Sequence, residues 1–235
     1  MLVLGIDSSA AAASAAVAED GKLLGEFYLN TRQTHSQTLL PMVQGLLEDL
    51  GISLEDFDRL AVTHGPGSFT GVRIGVSCVK GMALPNNTPC CGISTLEAIA
   101  YGGIACEGSV LCAVMDARCS QVYNALFQVE AGGLRRLTED RALSIQALGE
   151  ECRPYGDRLL LLGDGAALCY QAFGPWGARL APEAVRFQHG SSVALLACQK
   201  DCPACSPAEL APVYLRLPQA ERELKKRMEQ GGNAP

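Results

Sequence analysis

The chain has 235 residues, enough for one large domain or two lobes of about 100 residues each. Hydrophobic residues make up 48% and charged residues 19% of the sequence, a balance that excludes a mostly disordered chain. The net charge of −6 argues against a protein that grips nucleic acid unaided, because phosphate binding draws on a basic surface. The densest charged run, ERELKKR at 221–227, alternates in sign and is typical of a solvated helix face. Any contact with RNA would therefore have to be shared with a partner.

The N-terminal MLVLGIDSS lacks the basic and apolar segments of a signal peptide, and no apolar run approaches the ~20 residues that span a membrane. Several of the 11 cysteines lie inside apolar stretches, where Cys behaves as a small buried hydrophobe; these are Cys78, Cys112, Cys169 and Cys198. These features predict a cytoplasmic protein in a reducing compartment, without membrane association.

Two segments of the sequence share a plan of an apolar strand ending in Asp, a tight turn, a second strand, a Gly turn and a third strand. The first comprises LVLGID (2–7), ASAAVAE (13–19) and KLLGEFYL (22–29), and the second VLCAVMD (110–116), QVYNALFQV (121–129) and LRRLT. One such unit in each half predicts two related lobes, 1–104 and a smaller 105–235, with the option that the final helix packs back on the first lobe.

Helices are predicted to follow each unit. In the first half, Pro41 fits best in a first helical turn, so a helix is expected from about Leu39 to Leu50. The remaining predicted elements, in chain order, are a strand at 59–64, helices at 68–84 and 94–101, a strand at 159–163, a helix from about Gly165 and a helix at 191–200. Strands that alternate with helices in this way indicate an α/β protein with mixed sheets.

The turn GPGSFTGVRIG (65–75) places Gly67, Gly71 and Gly75 one helical turn apart. An interior Gly costs about 1 kcal/mol relative to Ala, so three on one face indicate a close approach of another backbone. Either the chain's own sheet or a partner helix satisfies that requirement. The turn lacks the Gly-Lys-Ser/Thr of a phosphate-binding loop, and a tight strand-to-helix connection is favoured over an anion site.

Candidate sites for chemistry are few. A weak nucleotide cleft is predicted from residues at strand ends and turns, namely Asp7, Ser8, Asp116, Gly163 and Gly165, although Asp is also an ordinary turn residue. A zinc site at His189, Cys198, Cys202 and Cys205 is disfavoured against a cysteine-rich linker, because a second spaced pair is missing. None of His35, His64 and His189 stands beside a candidate nucleophile, so no catalytic residue is assigned.

At this point five motifs together resemble the TsaB (YeaZ) family: LGIDSS, HSQTLLPMV, GPGSFTGVRIGVS, MDAR and PVYLR, in order from residue 3 to 216. The resemblance implies an actin-like (ASKHA) fold of two lobes with duplicated mixed β-sheets flanked by helices. It also implies a role in forming threonylcarbamoyladenosine next to the anticodon of tRNAs. The partners so implied are a TsaD-type catalytic subunit, a TsaE-type ATPase and, when the chain is alone, a second copy of itself.

TsaD-like relatives carry a metal site whose core reads His-Leu/Met-Glu-Gly-His. The similar stretch here is Thr95-Leu96-Glu97-Ala98-Ile99, and neither Thr nor Ile at the two histidine positions can clasp an ion. The resemblance therefore predicts a non-catalytic partner of a metalloenzyme, without a metal or a tightly bound cofactor, and with ATP or ADP only in the complex. The alternative is an ATP-dependent enzyme or a peptidase-like hydrolase of the same fold.

The resemblance further implies that two helices dock on matching helices of the TsaD-type partner. The predicted interface comprises Leu39, Leu40, Val43, Leu46, Leu47 and Leu50 of the first helix and Gly71, Val72, Gly75, Val76 and Val79 of the second. Two adjacent apolar stripes on the first helix exceed what one contact with its own sheet requires, and an exposed apolar patch normally marks an interface.

Overall fold

Two β-sheets built on the same plan form the centre of the molecule. The computed structural model describes residues 1–31, 33–131, 133–199 and 202–216, so the charged run at 221–227 lies outside the described residues. The first sheet contains β1 (Leu2–Asp7), β2 (Ala13–Glu19), β3 (Lys22–Leu29), β4 (Arg59–Gly65) and β5 (Cys90–Ser94) in the order β3-β2-β1-β4-β5. Its helices are α1 (His35–Leu50), α2 (Phe69–Ala83) and α3 (Thr95–Tyr101).

The second sheet repeats this arrangement. It contains β6 (Val110–Asp116), β7 (Gln121–Glu130), β8 (Gly133–Arg136), β10 (Leu159–Leu162) and β11 (Arg179–Leu180), with β9 (Arg141–Ser144) paired to β7. In each sheet the first three strands form an antiparallel meander, and two further strands add in parallel beside the first strand. The predicted duplication of mixed sheets is therefore confirmed.

Helices cover both faces of the first sheet, which explains why its central strand is apolar at nearly every position. Leu4 and Ile6 of β1 face α1 and α2, whereas Val3 faces α7 (Gly190–Ala197). A Cβ atom at Gly5 would lie 2.6 Å from the Gly190 carbonyl oxygen, so β1 admits only Gly at the crossing point with α7. The helix predicted at 191–200 thus packs on the first lobe.

The second sheet is covered by α4 (Ile145–Cys152) and α5 (Ala166–Phe173) on one face, and the short α6 (Glu183–Arg186) follows β11. On the other face, Leu96 and Ile99 of α3 pack against Leu111 and Phe127. Because α3 directly continues β5 of the first sheet, its apolar contacts fasten the two lobes together.

The lobes are not divided simply at residue 104. After β11 the chain returns to the first lobe, where α7 packs and where Leu210 enters the core beneath α1 and α2. None of the helices in the described residues is long and apolar enough to cross a membrane.

Helix α1 and strand β5 of the first lobe differ from the sequence prediction, and four elements that follow β8 were also not predicted, namely β9, α4, β11 and α6. Helix α1 begins at His35 rather than near Leu39, so Pro41 lies inside it. Pro41 is on the exposed side, where water can satisfy the carbonyl group that lacks a helical partner, while Leu39 beside it is fully buried. Strand β5 was not predicted, because CCGIS is short and carries a Gly in its middle.

Candidate functional site

The predicted interface on α1 and α2 is mostly core. The side chains that the sequence assigned to a partner lie against the chain's own first sheet, each with less than a tenth of its surface exposed; they are Leu39, Val43, Leu46, Leu47, Val72, Val76 and Val79. Leu50 is half-buried against the same cluster. The assignment of these residues to a partner interface is therefore corrected: both apolar stripes of α1 are used within the lobe, except at Leu40.

The glycine stripe of α2 also faces inward. A Cβ atom at Gly67 would lie 2.5 Å from the carbonyl oxygen of Ser9, and one at Gly71 would overlap the carbonyl oxygen of Ser8. At Gly75 it would lie 2.5 Å from the Ser8 hydroxyl. The stripe therefore lets α2 approach the β1–β2 turn, and Gly71 and Gly75 are not partner contacts. A Gly75→Arg change is expected to disrupt the fold before it disrupts any partner binding.

The surface that remains free on these helices is a different set of positions, which we call the outer α1–α2 face: Leu40, Pro41 and Gln44 on α1, and Arg73, Ile74 and Ser77 on α2. Leu40 is 50% exposed, and Ile74 is half-buried. A groove of about 510 Å³ runs between the N-terminal parts of the two helices, with His35, Thr70 and Ile74 in its lining. Of the predicted interface residues, Leu40 alone is well exposed.

The start of the β1–β2 turn, which holds two of the predicted cleft residues, is buried. Asp7 has no exposed surface, and its carboxylate accepts hydrogen bonds from the Ser9 hydroxyl at 2.9 Å and the Ser9 backbone N–H at 3.2 Å. Burial raises the pKa of Asp7 above its ordinary value, although the bonds from Ser9 oppose that shift. The Ser8 hydroxyl donates to the Gly71 carbonyl at 2.9 Å. Both side chains thus order the turn and do not line an open site.

An open cleft of about 480 Å³ does lie between the lobes. Its walls come from the two strand–turn units, from the start of α2 and from the C-terminal residues 213–216, and they include Ser9, Phe69, Asp116, Arg118, Tyr123 and Asp164. Aromatic side chains suited to stacking on a base are therefore present, although the sequence analysis assigned none to the cleft. Their signal was missed because Phe69, Tyr123 and Tyr214 are far apart in the chain.

Asp116 is the one predicted cleft residue that lines this space. Its carboxylate accepts the Arg118 backbone N–H at 2.8 Å, so it also orders its turn. Asp164, which the sequence prediction passed over between its two glycines, lies opposite and accepts the Asp116 N–H at 3.3 Å. Asp164 is an exposed residue, but its carboxyl group lies against the backbone of Asp116 at the end of β6. Desolvation of this group, together with the charge of Asp116, raises the pKa of Asp164 to about 6.

Gly163 and Gly165 serve packing. Gly163 adopts φ 101°, and a Cβ atom there would overlap the carbonyl oxygen of Val114. A Cβ atom at Gly165 would lie 3.0 Å from the backbone N of Asp116. The turn between β10 and α5 thus fits against the end of β6, and the prediction that these glycines open onto a nucleotide is corrected.

The residues that stand at the metal positions of TsaD-like proteins are also placed in the core. Thr95 and Ile99 have no exposed surface. Within the described part of the chain, no three His, Cys, Asp or Glu side chains gather as a metal site requires. Of the four disfavoured zinc candidates, Cys198 and Cys205 are free thiols, Cys202 is joined to Cys91 in a disulfide, and His189 contacts Glu26 at 3.3 Å.

The two sheets of identical strand order, each with an Asp at the end of its first strand, define a two-lobed protein of the actin-like class. The solved structure of an uncharacterised Pseudomonas aeruginosa protein with similarity to peptidase YEAZ superposes with a TM-score of 0.76 at 29% identity, covering 92% of this chain and 99% of that one.

The sequence model of the family described as "TsaD: tRNA N6-adenosine threonylcarbamoyltransferase" matches residues 22–167. The Bacillus subtilis "tRNA threonylcarbamoyladenosine biosynthesis protein TsaB" is 31% identical over 94% of this chain and 96% of its own length. The Escherichia coli protein of the same name is 41% identical over 61% of this chain, an alignment that spans only 62% of that relative. The chain belongs to the TsaB (YeaZ) family within this broader group.

Proposed function

We propose that the protein is a non-catalytic subunit that binds a TsaD-type enzyme and supports transfer of threonylcarbamoyl to the adenosine next to the anticodon of tRNAs. The observation that carries this proposal is the burial of Thr95 and Ile99, which the resemblance aligns with the two metal-binding histidines of the TsaD-like motif. Two core side chains offer no ligand and no access for a metal. The names of the B. subtilis and E. coli relatives support the pathway. Depletion of the protein in its host should abolish threonylcarbamoyladenosine, measured by mass spectrometry of tRNA nucleosides.

The outer α1–α2 face is the surface that we assign to the partner. Leu40 is half exposed although it follows the fully buried Leu39, and it lies one turn from Gln44 on the same side of α1. Arg73 and Ile74 extend the surface onto α2, which contacts α1 directly. Two adjacent helices with an apolar side chain at the centre and polar neighbours offer the partner's helices a hydrophobic contact with a polar rim.

Leu40→Asp tests this surface. A charge at the centre of a packed interface costs several kcal/mol, so the variant should lose at least ~100-fold in affinity for the TsaD-type partner while keeping its circular dichroism spectrum. Leu168→Asp is the matched control, because Leu168 is 39% exposed on α5 of the other lobe and should leave binding unchanged. Wild-type affinity in a folded Leu40→Asp variant would place the interface elsewhere.

We propose that the chain alone holds no cofactor tightly and that ATP or ADP enters only in the assembled complex. Supporting this, Asp7 and Ser8 are committed to the first turn, and Gly163 and Gly165 are filled by packing, which leaves Asp116 and Asp164 as two acids in one cleft. Arg118 and Arg216 also line the cleft and balance these two charges, so of the predicted cleft residues only Asp116 remains available to a magnesium–phosphate. Calorimetry with ATP and magnesium should give a dissociation constant weaker than about 1 μM. Tighter binding would favour the alternative of an ATP-dependent enzyme.

We also propose the remaining partners from the family resemblance. A TsaE-type ATPase joins the complex, tRNA is bound only through the complex, and the isolated chain self-associates through the outer α1–α2 face in the cytoplasm. The net charge of −6 supports shared rather than independent RNA binding. If the self-association is right, Leu40→Asp elutes as a monomer in size-exclusion chromatography where the wild type elutes as a dimer. If the variant still forms a dimer, self-association and partner binding use different surfaces.

A further inference from the structure

Residues 202–216, which we call the strap, run along the surface of the first lobe after α7. At its start the strap pairs with the edge strand β5, where Cys90 and Cys205 exchange backbone hydrogen bonds of 2.9 and 2.8 Å. Further on, the Lys80 ammonium group on α2 donates to the carbonyl groups of Ala208 and Leu210 at 3.0 and 2.9 Å. The strap is therefore fixed to two elements of the first lobe over its first half.

The far end of the strap reaches the cleft and the second lobe. The Val213 N–H donates to the His64 carbonyl at 2.7 Å, and the Arg73 Nε donates to the Tyr214 hydroxyl at 2.8 Å. Arg216 then donates from Nη1 to the Ala117 carbonyl in the β6–β7 turn at 3.0 Å. Residues 213–216 form one wall of the cleft, so any loosening of the strap changes that wall and the link between the lobes.

A disulfide joins the start of the strap to β5, between Cys202 and Cys91. We propose that this pair is a reversible redox latch, which fastens the strap across the first lobe when oxidised and releases its first anchor when reduced. Disulfides in intracellular proteins are mostly transient or redox-sensing, which fits a latch better than a permanent structural bond. The latch belongs to the chain's own fold and does not rest on the proposed partner.

The site has an entrance suited to a small thiol reagent. Cys202 is partly exposed and lines a surface cavity of about 240 Å³, whereas Cys91 behind it has no exposed surface. A small disulfide, RSSR, can therefore reach Cys202 first. The Cys202 thiolate attacks one sulfur of RSSR, which forms the mixed disulfide and releases one RSH. The Cys91 thiolate then attacks the Cys202 sulfur and releases a second RSH, so two protein thiols are oxidised as one RSSR is reduced.

The strap's other contacts are separate hydrogen bonds at the protein surface, so the strap can open locally at a low cost in free energy. The latch would limit this opening. A cross-link between positions 111 residues apart in sequence removes many open conformations of the segment. Closing the latch should therefore slow the opening of the whole strap, including the amides of Cys205 and Val213 that lie beyond it.

The test uses the full chain equilibrated in oxidised or reduced glutathione, with alkylation and peptide mass spectrometry to locate the bonds. In oxidised glutathione we expect a Cys91–Cys202 peptide pair and about tenfold slower hydrogen exchange over residues 204–213 than in reduced glutathione. Cys202→Ser should exchange at the reduced rate in both buffers. Cys205→Ser, which keeps its backbone bonds to Cys90, and Cys198→Ser, altered at a free thiol of the same apolar cluster, should keep the redox difference.

The comparison of the wild type in the two buffers needs no substitution, so it holds even if a variant folds poorly. Free thiols at both Cys91 and Cys202 in oxidised glutathione would overturn the proposal. So would a bond between Cys202 and Cys198 instead, or identical exchange of the strap in the oxidised and reduced proteins.

Discussion

The two strand–turn units share a strand order and differ in what covers the turn. In the first unit, α2 approaches the β1–β2 turn so closely that Gly71 is required beneath Ser8, and Asp7 is fully buried. In the second unit the β6–β7 turn is exposed at the mouth of the cleft, and Asp116 remains partly accessible. The same local design thus buries the strand-end Asp in one lobe, whose turn we call sealed although Ala11 at its tip lines the cleft, and leaves it accessible in the other lobe, whose turn we call open.

This difference explains why only one of the two strand-end aspartates, Asp116, lines the cleft. The sealed turn is held by hydrogen bonds from Ser8 and Ser9 and by the close packing of α2, so it contributes rigidity to the lobe that carries the outer α1–α2 face. The open turn retains acids and aromatic side chains around a solvent-filled space. We infer that packing against a neighbouring helix, rather than the strand order, decides which strand-end aspartate stays available.

The largest effect is expected at the sealed turn. Gly71→Val places a side chain onto the Ser8 carbonyl oxygen, and neither backbone can yield without separating α2 from β1. We expect a loss of about 3 kcal/mol in the free energy of unfolding, measured by urea denaturation.

Gly81→Ala is the matched control in the same helix, since a Cβ atom there meets no atom within 4 Å. The gain in helix propensity should stabilise the protein by up to about 1 kcal/mol. If Gly71→Val were as well tolerated as Gly81→Ala, the glycine stripe would not seal the turn.

A smaller effect is expected at the open cleft. The pKa of Asp164 is raised to about 6 in the folded protein, from an ordinary value of 3.8, so the folded state binds the proton more tightly. The stability that this provides is complete below the unfolded pKa and is lost as pH rises through about 6. The free energy of unfolding of Asp164→Asn, relative to that of the wild type, should therefore rise by about 1 kcal/mol between pH 4 and pH 7. This value is lower than the pKa shift alone would give, because the residue is exposed and solvent screens its charge.

Urea midpoints at several pH values measure this difference. Stability curves of wild type and Asp164→Asn that stay parallel over the range would mean that Asp164 is as well solvated as a surface carboxylate, and that the end of β6 does not desolvate its carboxyl group.

The smallest effect concerns the backbone of the open turn. Arg118, Cys119 and Ser120 all adopt left-handed conformations, with φ of 65°, 53° and 55°. Cys119→Gly removes the steric cost at the middle residue and should stabilise the protein by about 0.5 kcal/mol, measured as a shift in thermal midpoint. Ala11→Gly in the first turn should instead destabilise, because Ala11 does not have positive φ. Equal shifts in the thermal midpoint for the two substitutions would contradict the proposed difference in backbone conformation between the turns.

Much of the fold could be predicted from the sequence because strand and helix periods are local. The two meanders and the alternation of strands with helices follow from apolar runs bounded by turn residues, and α2 begins and ends within one residue of its predicted limits. Strand β5 was missed because its burial is imposed by β4 and α7 and not by its own sequence.

The candidate sites were predicted less well, for a physical reason. Glycines at helical spacing indicate a close approach but not the neighbour, and Gly71 and Gly75 proved to face the chain's own turn. Leu47 and Val76 look like interface residues in a linear pattern, yet both are covered by the first lobe. Asp164 lies in the cleft only because its turn packs against β6. A contact between segments so far apart in the chain leaves no local sequence pattern.

The central claim is that the protein supports a reaction whose chemistry lies in another chain. The most direct measurement is formation of threonylcarbamoyladenosine on tRNA from threonylcarbamoyl-adenylate, with the chain alone, the TsaD-type enzyme alone, both together, and both with Leu40→Asp. We predict no product from the chain alone, product from the pair, and a loss of product with Leu40→Asp in proportion to the loss of binding. Turnover by the isolated chain would contradict the account.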